Sequence, residues 1–273
     1  MKHKTLKDPS AILLAELNAQ DKQFFNVNEA KQILSSSDPR AVNELLRQMV
    51  SRGLLMRIKD GLYHIIPYDK ASDTYQPDWH ITASHLVENG DYYIGYYSAL
   101  SIHSLTTQPA LKEQIVISKR QQKKSLQVKN IEYQFVYHNQ IHFFGAKNTW
   151  IDSFNKVKCS DIEKTFIDCL FMPFYAGGIV EIAKALFKAR TNIDFQKLHD
   201  YSIQFGNQSV IKRLGYLLEL LEISTPLIKK LFKFRTEAFT LLDPSLPKEG
   251  KMASRWRIQQ NIDPETILSS LGN

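Results

Sequence analysis

The chain has 273 residues, of which 43% are hydrophobic and 23% charged, and its formal net charge is +7 at pH 7. This composition excludes a mainly disordered or collagen-like protein, and no apolar run approaches the roughly 18–20 residues that cross a bilayer. At roughly 100–200 residues per domain, the length predicts two domains. The positive charge is compatible with nucleic-acid binding but does not by itself indicate it.

The N-terminus and the cysteines predict a cytoplasmic protein. The basic start "MKHKTLK" is followed by neither a long apolar core nor a small-residue cleavage site, so a secretion signal is not expected. Cys159 and Cys169 are too few for a disulfide framework. We therefore expect two buried free thiols and no membrane partner.

The first fifty residues predict three helices, each with a capping residue at its start. The caps are Asp8 before Pro9, Asn26 or Asn28, and the "SSSDPR" segment with Pro39 at the first turn. The third helix has one apolar stripe at helical spacing and ends near Gly53. The stripe consists of Val42, Leu45, Leu46, Met49 and Val50.

The segment after this helix predicts a β-hairpin around Asp60-Gly61. Three helices followed by a hairpin are typical of a winged helix-turn-helix, whose last helix enters the major groove. Arginine and amide side chains suit that role because they form paired hydrogen bonds with base edges. The candidate DNA contacts are Arg40, Asn43, Arg47 and Gln48 on the helix, and Arg57 and Lys59 on the hairpin. A helical domain with a solvated polar face, or a winged helix that binds protein, would have the same pattern.

The polar stretch 71–79 is rich in turn formers and predicts a linker. The predicted organisation is a winged helix-turn-helix at 1–70, the linker at 71–79, and a larger mixed α+β domain at 80–273. Strands are expected at "EQIVISKR", "IEYQFVYH" and "HFFGAKNTWI", and two helices around Asn89-Gly90. From Ser160 the pattern becomes helical, so the fold class is α+β with a helical second half.

No catalytic or metal site is predicted in this second domain. The histidines are dispersed, and His138 on a strand is interpreted as half-buried or on the surface rather than as a ligand. Asp168 is expected to satisfy a backbone group or a neighbouring lysine. A nuclease site of Asp243, Glu249 and Lys251 is an alternative, but such triplets are common by chance. We expect no enzyme activity, no metal and no cofactor.

Two further basic segments are candidate contacts for phosphates or for an acidic partner. The first is the stretch with Lys119, Arg120, Lys123 and Lys124, for which a solvated loop is the alternative. The second is Arg255-Trp256-Arg257, where Trp256 serves either packing or stacking.

Three blocks of the sequence resemble the AbiEi-type antitoxins, which are transcriptional regulators of bacterial abortive-infection toxin–antitoxin pairs. The blocks are "YYIGYYSALSIHSLTTQ", "SDIEKTFIDCLFMPFYAGGIVEIAKAL" and "LLDPSLPKEGKMASRWRIQQN". The resemblance extends from the N-terminal helices to the region of Asn261. It implies an N-terminal winged helix that represses its own operon by binding inverted repeats in the promoter.

The resemblance also implies that the C-terminal domain counteracts a nucleotidyltransferase-like toxin without forming a stable complex with it. The blocks that would carry this activity lie around 98–103, 161–181 and 255–261. Two alternatives stay open. One is a stand-alone winged-helix regulator whose second domain senses a ligand or a partner, and the other is a DNA-targeted nuclease.

Overall fold

The computed structural model describes residues 8–35, 38–87, 90–106, 108 and 110–272. The basic N-terminal start, and Asn89 at the predicted boundary between two helices, lie outside this range. The chain divides into two compact units, the first comprising 1–85 with 128–130 and the second 86–127 with 131–273. The segment 71–79, predicted as a linker, falls in the first unit.

The first unit combines helices with one three-stranded antiparallel sheet of strand order β1-β3-β2. Its elements are α1 (Asp8–Ala19), β1 (Phe24–Asn26), α2 (Val27–Ile33), α3 (Pro39–Ser51), β2 (Leu55–Lys59), β3 (Leu62–Ile65) and α4 (Trp79–Leu86). The predicted helices and hairpin are confirmed. The third strand, β1, was not predicted, because three residues are too few for an alternating pattern.

Local capping and one apolar core explain this unit. Asn26 caps α2 by accepting from the Glu29 amide, and Glu29 accepts in return from the Asn26 amide, which forms a capping box. Asp38 caps α3 through the Arg40 amide, with Pro39 at the first helical position. The core joins one face of each of the three helices to the sheet. Its fully buried members include Leu13, Leu17, Ala30, Leu46 and Met49.

The second unit is mixed α+β, built on a six-stranded sheet with helices packed against it. Its first half contains β4 (Tyr92–Ile94), α5 (Tyr96–Ile102), β5 (Lys112–Ile117), β6 (Ser125–Val128), β7 (Ile131–Tyr137), β8 (Ala146–Trp150) and β9 (Lys156–Ser160). The strand order is β6-β7-β5-β4-β9-β8. Within it β5 runs parallel to β7 and β4 parallel to β9, whereas the pairs β4/β5 and β8/β9 are antiparallel.

The second half is helical, as predicted. It contains α6 (Ile162–Phe171), α7 (Ile179–Ala189), α8 (Phe195–Phe205), α9 (Gln208–Leu220), α10 (Leu227–Phe234), β10 (Thr240–Leu241), β11 (Lys251–Ala253), β12 (Ile258–Gln260) and α11 (Pro264–Ser269). The last three strands form a small sheet of order β10-β12-β11. Among the described residues, no helix combines the length and apolarity needed to span a bilayer.

Candidate nucleic-acid interface

Helix α3 separates an apolar face from an exposed polar face. Val42, Leu46 and Met49 are at most 2% exposed and pack into the core of the first unit. The predicted contacts Arg40, Asn43, Arg47 and Gln48 are all exposed on the other side of the helix. The 3.6-residue period therefore places four potential hydrogen-bonding side chains on one solvent-facing surface.

One acidic residue on this face organises two of the predicted contacts. Glu44 accepts from Arg47 through both carboxylate oxygens, at 2.7 and 2.9 Å, and from the Gln48 amide at 2.9 Å. These hydrogen bonds lower the pKa of Glu44 to about 2, the Arg47 guanidinium being the larger cause. Arg47 is thus held by Glu44 while its side chain remains 77% accessible to solvent.

Arg52 fixes the C-terminal end of α3 to the first helix. Its guanidinium donates to the Ser10 hydroxyl at 2.8 Å, and Ser10 is fully buried on α1. This contact joins residues 42 positions apart. This contact is not evident from the sequence, since nothing in the local pattern around Arg52 indicates a distant serine as its partner.

The hairpin β2–β3 follows α3 directly and displays the other two predicted contacts. Gly61 adopts a left-handed φ of +77° at its turn, a conformation that favours glycine. Arg57 is exposed and forms an ion pair with Asp60 of the turn, while Lys59 is half-buried. The register shifts between Arg57 and Lys59, so the strand is irregular where these side chains emerge.

Charge on this surface is largely compensated within the unit. The cations are Arg40, Arg47, Arg57 and Lys59, and the carboxylates among them are Asp38, Glu44 and Asp60. A polyanion must therefore compete with Glu44 for Arg47 and with Asp60 for Arg57. Displacing these carboxylates would cost little free energy, because solvent-exposed ion pairs contribute little to stability.

The basic segment of the second unit is a loop between β5 and β6. Lys119, Arg120, Lys123 and Lys124 are all exposed there. The Arg120 guanidinium lies 4.7 Å from the centre of the Tyr137 ring, which gives one of these cations a fixed cation–π contact. The predicted solvated loop and the predicted phosphate contact both agree with this placement.

The arginines flanking Trp256 are engaged with acidic side chains. Arg255 pairs with Glu219 at 2.7 Å, and Arg257 pairs with Glu237. Trp256 is 1% exposed and its indole donates to Glu219 at 2.7 Å. This segment therefore packs the small C-terminal sheet onto α9, and Trp256 serves packing rather than stacking on a ligand.

A buried polar cluster in the second unit was only partly predicted. Lys164 and Asp168, one turn apart on α6, form an ion pair with both side chains fully buried. The Lys164 ammonium donates to the Tyr93 hydroxyl at 2.9 Å, which in turn donates to Asp168 at 2.9 Å. The expectation that Asp168 satisfies a neighbouring lysine is confirmed. The tyrosine, 75 positions away from Asp168, could not be paired with it from sequence.

His138 extends this cluster and corrects an expectation. The residue was interpreted as half-buried or on the surface, but it is 1% exposed because it follows β7 beneath aromatic side chains. Its Nε2 is hydrogen bonded to the Tyr96 hydroxyl at 2.7 Å. Burial lowers the pKa of His138 to about 4, so the ring is neutral at pH 7. The cluster is enclosed in the core and holds the sheet to α6.

The nuclease alternative finds little support in the geometry. The Asp243 carboxylate is 2% exposed and accepts from the amides of Ile179 at 2.8 Å and Ser245 at 2.9 Å. It therefore caps the N-terminus of α7, whereas Glu249 lies exposed in a loop. Within the described ranges, no group of three or more His, Cys, Asp or Glu side chains is arranged to hold a metal ion.

Comparison with solved structures finds a protein of similar fold. The chain is similar to the crystal structure of the RV2827C protein from Mycobacterium tuberculosis, with a TM-score of 0.73, covering 100% of this chain and 97% of that chain. The two sequences are 14% identical, so the likeness shows the fold alone. No protein-family model and no curated protein sequence matches the chain.

Proposed function

We propose that the first unit is a winged helix-turn-helix that binds double-stranded DNA, and that the protein is a transcriptional repressor of its own operon. The observation that carries this proposal is the exposed face of α3. Arginine and amide groups on that face lie beside a hairpin with two further cations. An α-helix fits the major groove, and these side-chain types match the donor and acceptor patterns of guanine and adenine.

In this proposal the helix and the hairpin have different tasks. Asn43 and Arg47 on α3 would contact base edges, and Arg57 and Lys59 on the hairpin would contact phosphates. Base contacts confer sequence preference, whereas phosphate contacts add affinity to every sequence and release counterions. The proposal thus predicts separable effects of substitutions on the two elements.

The test is a gel-shift titration of the purified full-length protein against the upstream promoter region, with scrambled duplex as competitor at near-physiological salt. Binding that survives the competitor supports the proposal. Arg47→Ala is expected to lower affinity for the promoter about fivefold to a hundredfold, and to reduce preference over the scrambled duplex.

The matched control is Lys229→Ala, which removes one positive charge from the exposed surface of α10 in the second unit. It changes the net charge as much as Arg47→Ala does, but it leaves the proposed DNA-contacting face intact. Equal loss of affinity in the two variants would show that binding reflects net charge alone. Unchanged affinity in Arg47→Ala would show that α3 does not make the sequence-specific contacts with DNA.

We further propose that the second unit is an antitoxin that counteracts a nucleotidyltransferase-like toxin. The support is the resemblance of three sequence blocks to AbiEi-type antitoxins. The last two of these blocks also contact each other through Asp243, which caps the helix that begins at Ile179. This buried contact brings the two blocks together within the fold of the second unit.

This part is tested by co-expressing the full chain with a nucleotidyltransferase-like protein encoded beside it and measuring colony growth. Rescue by the wild-type chain and by Arg47→Ala, both expressed from an unrelated promoter, would show that antitoxicity does not require the proposed DNA contact Arg47. Failure of both chains to restore growth would reject the antitoxin role, while the DNA-binding test above would stand independently.

A further inference from the structure

The hairpin formed by β8 and β9 has features that neither the repressor nor the antitoxin proposal uses. Strand β8 is the last strand of the six-stranded sheet in the described part of the chain. It pairs only with β9 there, and residues 151–155 connect the two strands. The hairpin therefore presents an outer edge and a tip to solvent.

Two large aromatic rings are exposed on this hairpin. Trp150 is 57% exposed at the end of β8, and Phe154 is 89% exposed at the tip. Exposing a large ring to water is unfavourable in the free protein, although single exposed apolar residues are common. Here the two rings lie four positions apart, one at the end of strand β8 and the other on the turn that follows it.

Asp152 gives the tip its fixed shape. Its carboxylate accepts from the backbone amides of Phe154 and Asn155, both at 2.7 Å, and from the Asn155 side chain at 2.8 Å. These hydrogen bonds lower the pKa of Asp152. The carboxylate thus faces the turn, and the Phe154 ring is displayed without the entropic cost of ordering a flexible loop.

The rings are accompanied by lysines. Lys156 lies opposite Trp150 in the register, and its ammonium is 4.1 Å from the centre of the indole ring. Lys158 lies two positions further along β9, opposite Asn148 on β8, so it shares a face of the hairpin with Lys156. The Lys158 ammonium is 3.4 Å from Asp91, whose side chain is 74% exposed.

The sheet register brings the basic loop to the same end of the sheet. Ile117 at the end of β5 pairs with Tyr92 at the start of β4, and β4 runs parallel to β9. The loop with Lys119 and Arg120 therefore leaves the sheet at the end where β9 starts and where Trp150 lies. Two strand spacings of about 4.8 Å separate β5 from β9, which carries Lys156 and Lys158, so the cations span roughly 10 Å.

We propose that the β8–β9 hairpin is a binding site for single-stranded nucleic acid. Unpaired bases would stack on Trp150 and Phe154, and Lys156, Lys158 and the loop at Lys119 would contact the backbone phosphates. Exposed rings favour a single strand over a duplex, because stacking on a side chain needs a base that is free of its own helix. The proposal is independent of α3, which would bind duplex DNA in the other unit.

The test uses the full-length protein and a fluorescein-labelled 20-nucleotide oligothymidylate, with binding followed by fluorescence anisotropy. The wild-type protein is expected to bind it and to lose affinity as salt is raised. Phe154→Ala is expected to weaken binding about fivefold or more, and Trp150→Ala together with Phe154→Ala about twentyfold or more. Binding should also quench the fluorescence of Trp150 in the wild-type protein.

Phe234→Ala is the matched control. Phe234 is a 50%-exposed ring at the end of α10, next to Lys233. Its removal is expected to leave oligothymidylate affinity unchanged. Arg47→Ala in the other unit should likewise leave it unchanged, which separates this site from the proposed DNA-reading helix. Because Phe154 is almost fully exposed, its alanine variant is expected to keep the wild-type melting temperature.

Three outcomes would overturn the proposal. Wild-type protein that fails to bind the oligothymidylate would reject the site. Equal affinity in wild type and in Phe154→Ala would show that the rings do not stack on bases. A preference for a 20-base-pair duplex that the aromatic substitutions leave intact would assign the cations to double-stranded DNA instead.

Discussion

Replacing Asp168 by alanine is expected to destabilise the second unit strongly. The substitution leaves the Lys164 ammonium buried without its carboxylate and removes the acceptor of the Tyr93 hydroxyl. Breaking a fully buried ion pair by removing one partner costs about 3–5 kcal/mol. That is a large share of the roughly 5–15 kcal/mol that stabilises a typical domain.

The measurement is urea denaturation followed by tryptophan fluorescence, since Trp256 is buried in the same unit as the ion pair. Asp200→Asn on the exposed surface of α8 is the control and should leave the unfolding midpoint in place. The double variant Lys164→Met with Asp168→Asn removes both charges and keeps an acceptor for Tyr93. It is therefore expected to be more stable than Asp168→Ala.

Two results would refute this reasoning. If the free energy of unfolding of Asp168→Ala fell by less than about 1 kcal/mol, the Lys164 ammonium would not be left buried without a partner. Strict additivity of the Lys164→Met and Asp168→Asn effects would show that the two side chains are not coupled.

The remaining predictions address the proposed DNA surface, the buried histidine and the core. Lys59→Ala is expected to weaken binding to all duplexes alike and to reduce the salt slope by about one, unlike Arg47→Ala, and gel shifts at three salt concentrations would check it. In the folded protein the pKa of His138 is about 4, below the roughly 6.5 of an unfolded histidine. This difference is expected to lower the free energy of unfolding as pH falls from about 6.5 to 4, by about 3 kcal/mol in total. An NMR titration should find its ring neutral at pH 5.5, and a protonation midpoint above 6 would contradict the enclosed geometry. Gly215→Ala would place a Cβ atom 2.1 Å from the Trp256 ring. We therefore expect the free energy of unfolding, measured by urea denaturation, to fall by about 1–3 kcal/mol. An unchanged unfolding midpoint would show that the tryptophan can move away.

Local pattern was sufficient for the part of the chain that forms the proposed DNA surface. The apolar stripe from Val42 to Val50 and the cap at Asp38 predicted α3, and Asp60-Gly61 predicted the hairpin. The pairing of Glu44 with Arg47 was not predicted. Its three-residue spacing on a helix is nevertheless a signal that could have found it, because such residues are neighbours on the helix surface.

Short strands and two helices of the second unit were not predicted individually. Strands β4, β6 and β9 have three to five residues, and no individual helix was predicted over α8 or α11. Such segments are stabilised by their partners in the sheet or the core rather than by their own propensity. In β9 the alternation of lysines with Val157 and Cys159 is a signal that could have identified it.

The sequence by itself therefore determined the mixed α+β class, the α3–hairpin segment and the helical second half, since each depends on contacts between residues close in the chain. Tertiary structure alone decided which distant side chains meet. Tyr96 reaches His138 across 42 positions and Tyr93 reaches Asp168 across 75. Strand order also decided that the basic loop at Lys119 lies at the same end of the sheet as Trp150. These contacts depend on which strands pair, and strand pairing joins segments that are distant in the sequence. The periodicity of residues along the chain does not specify that pairing.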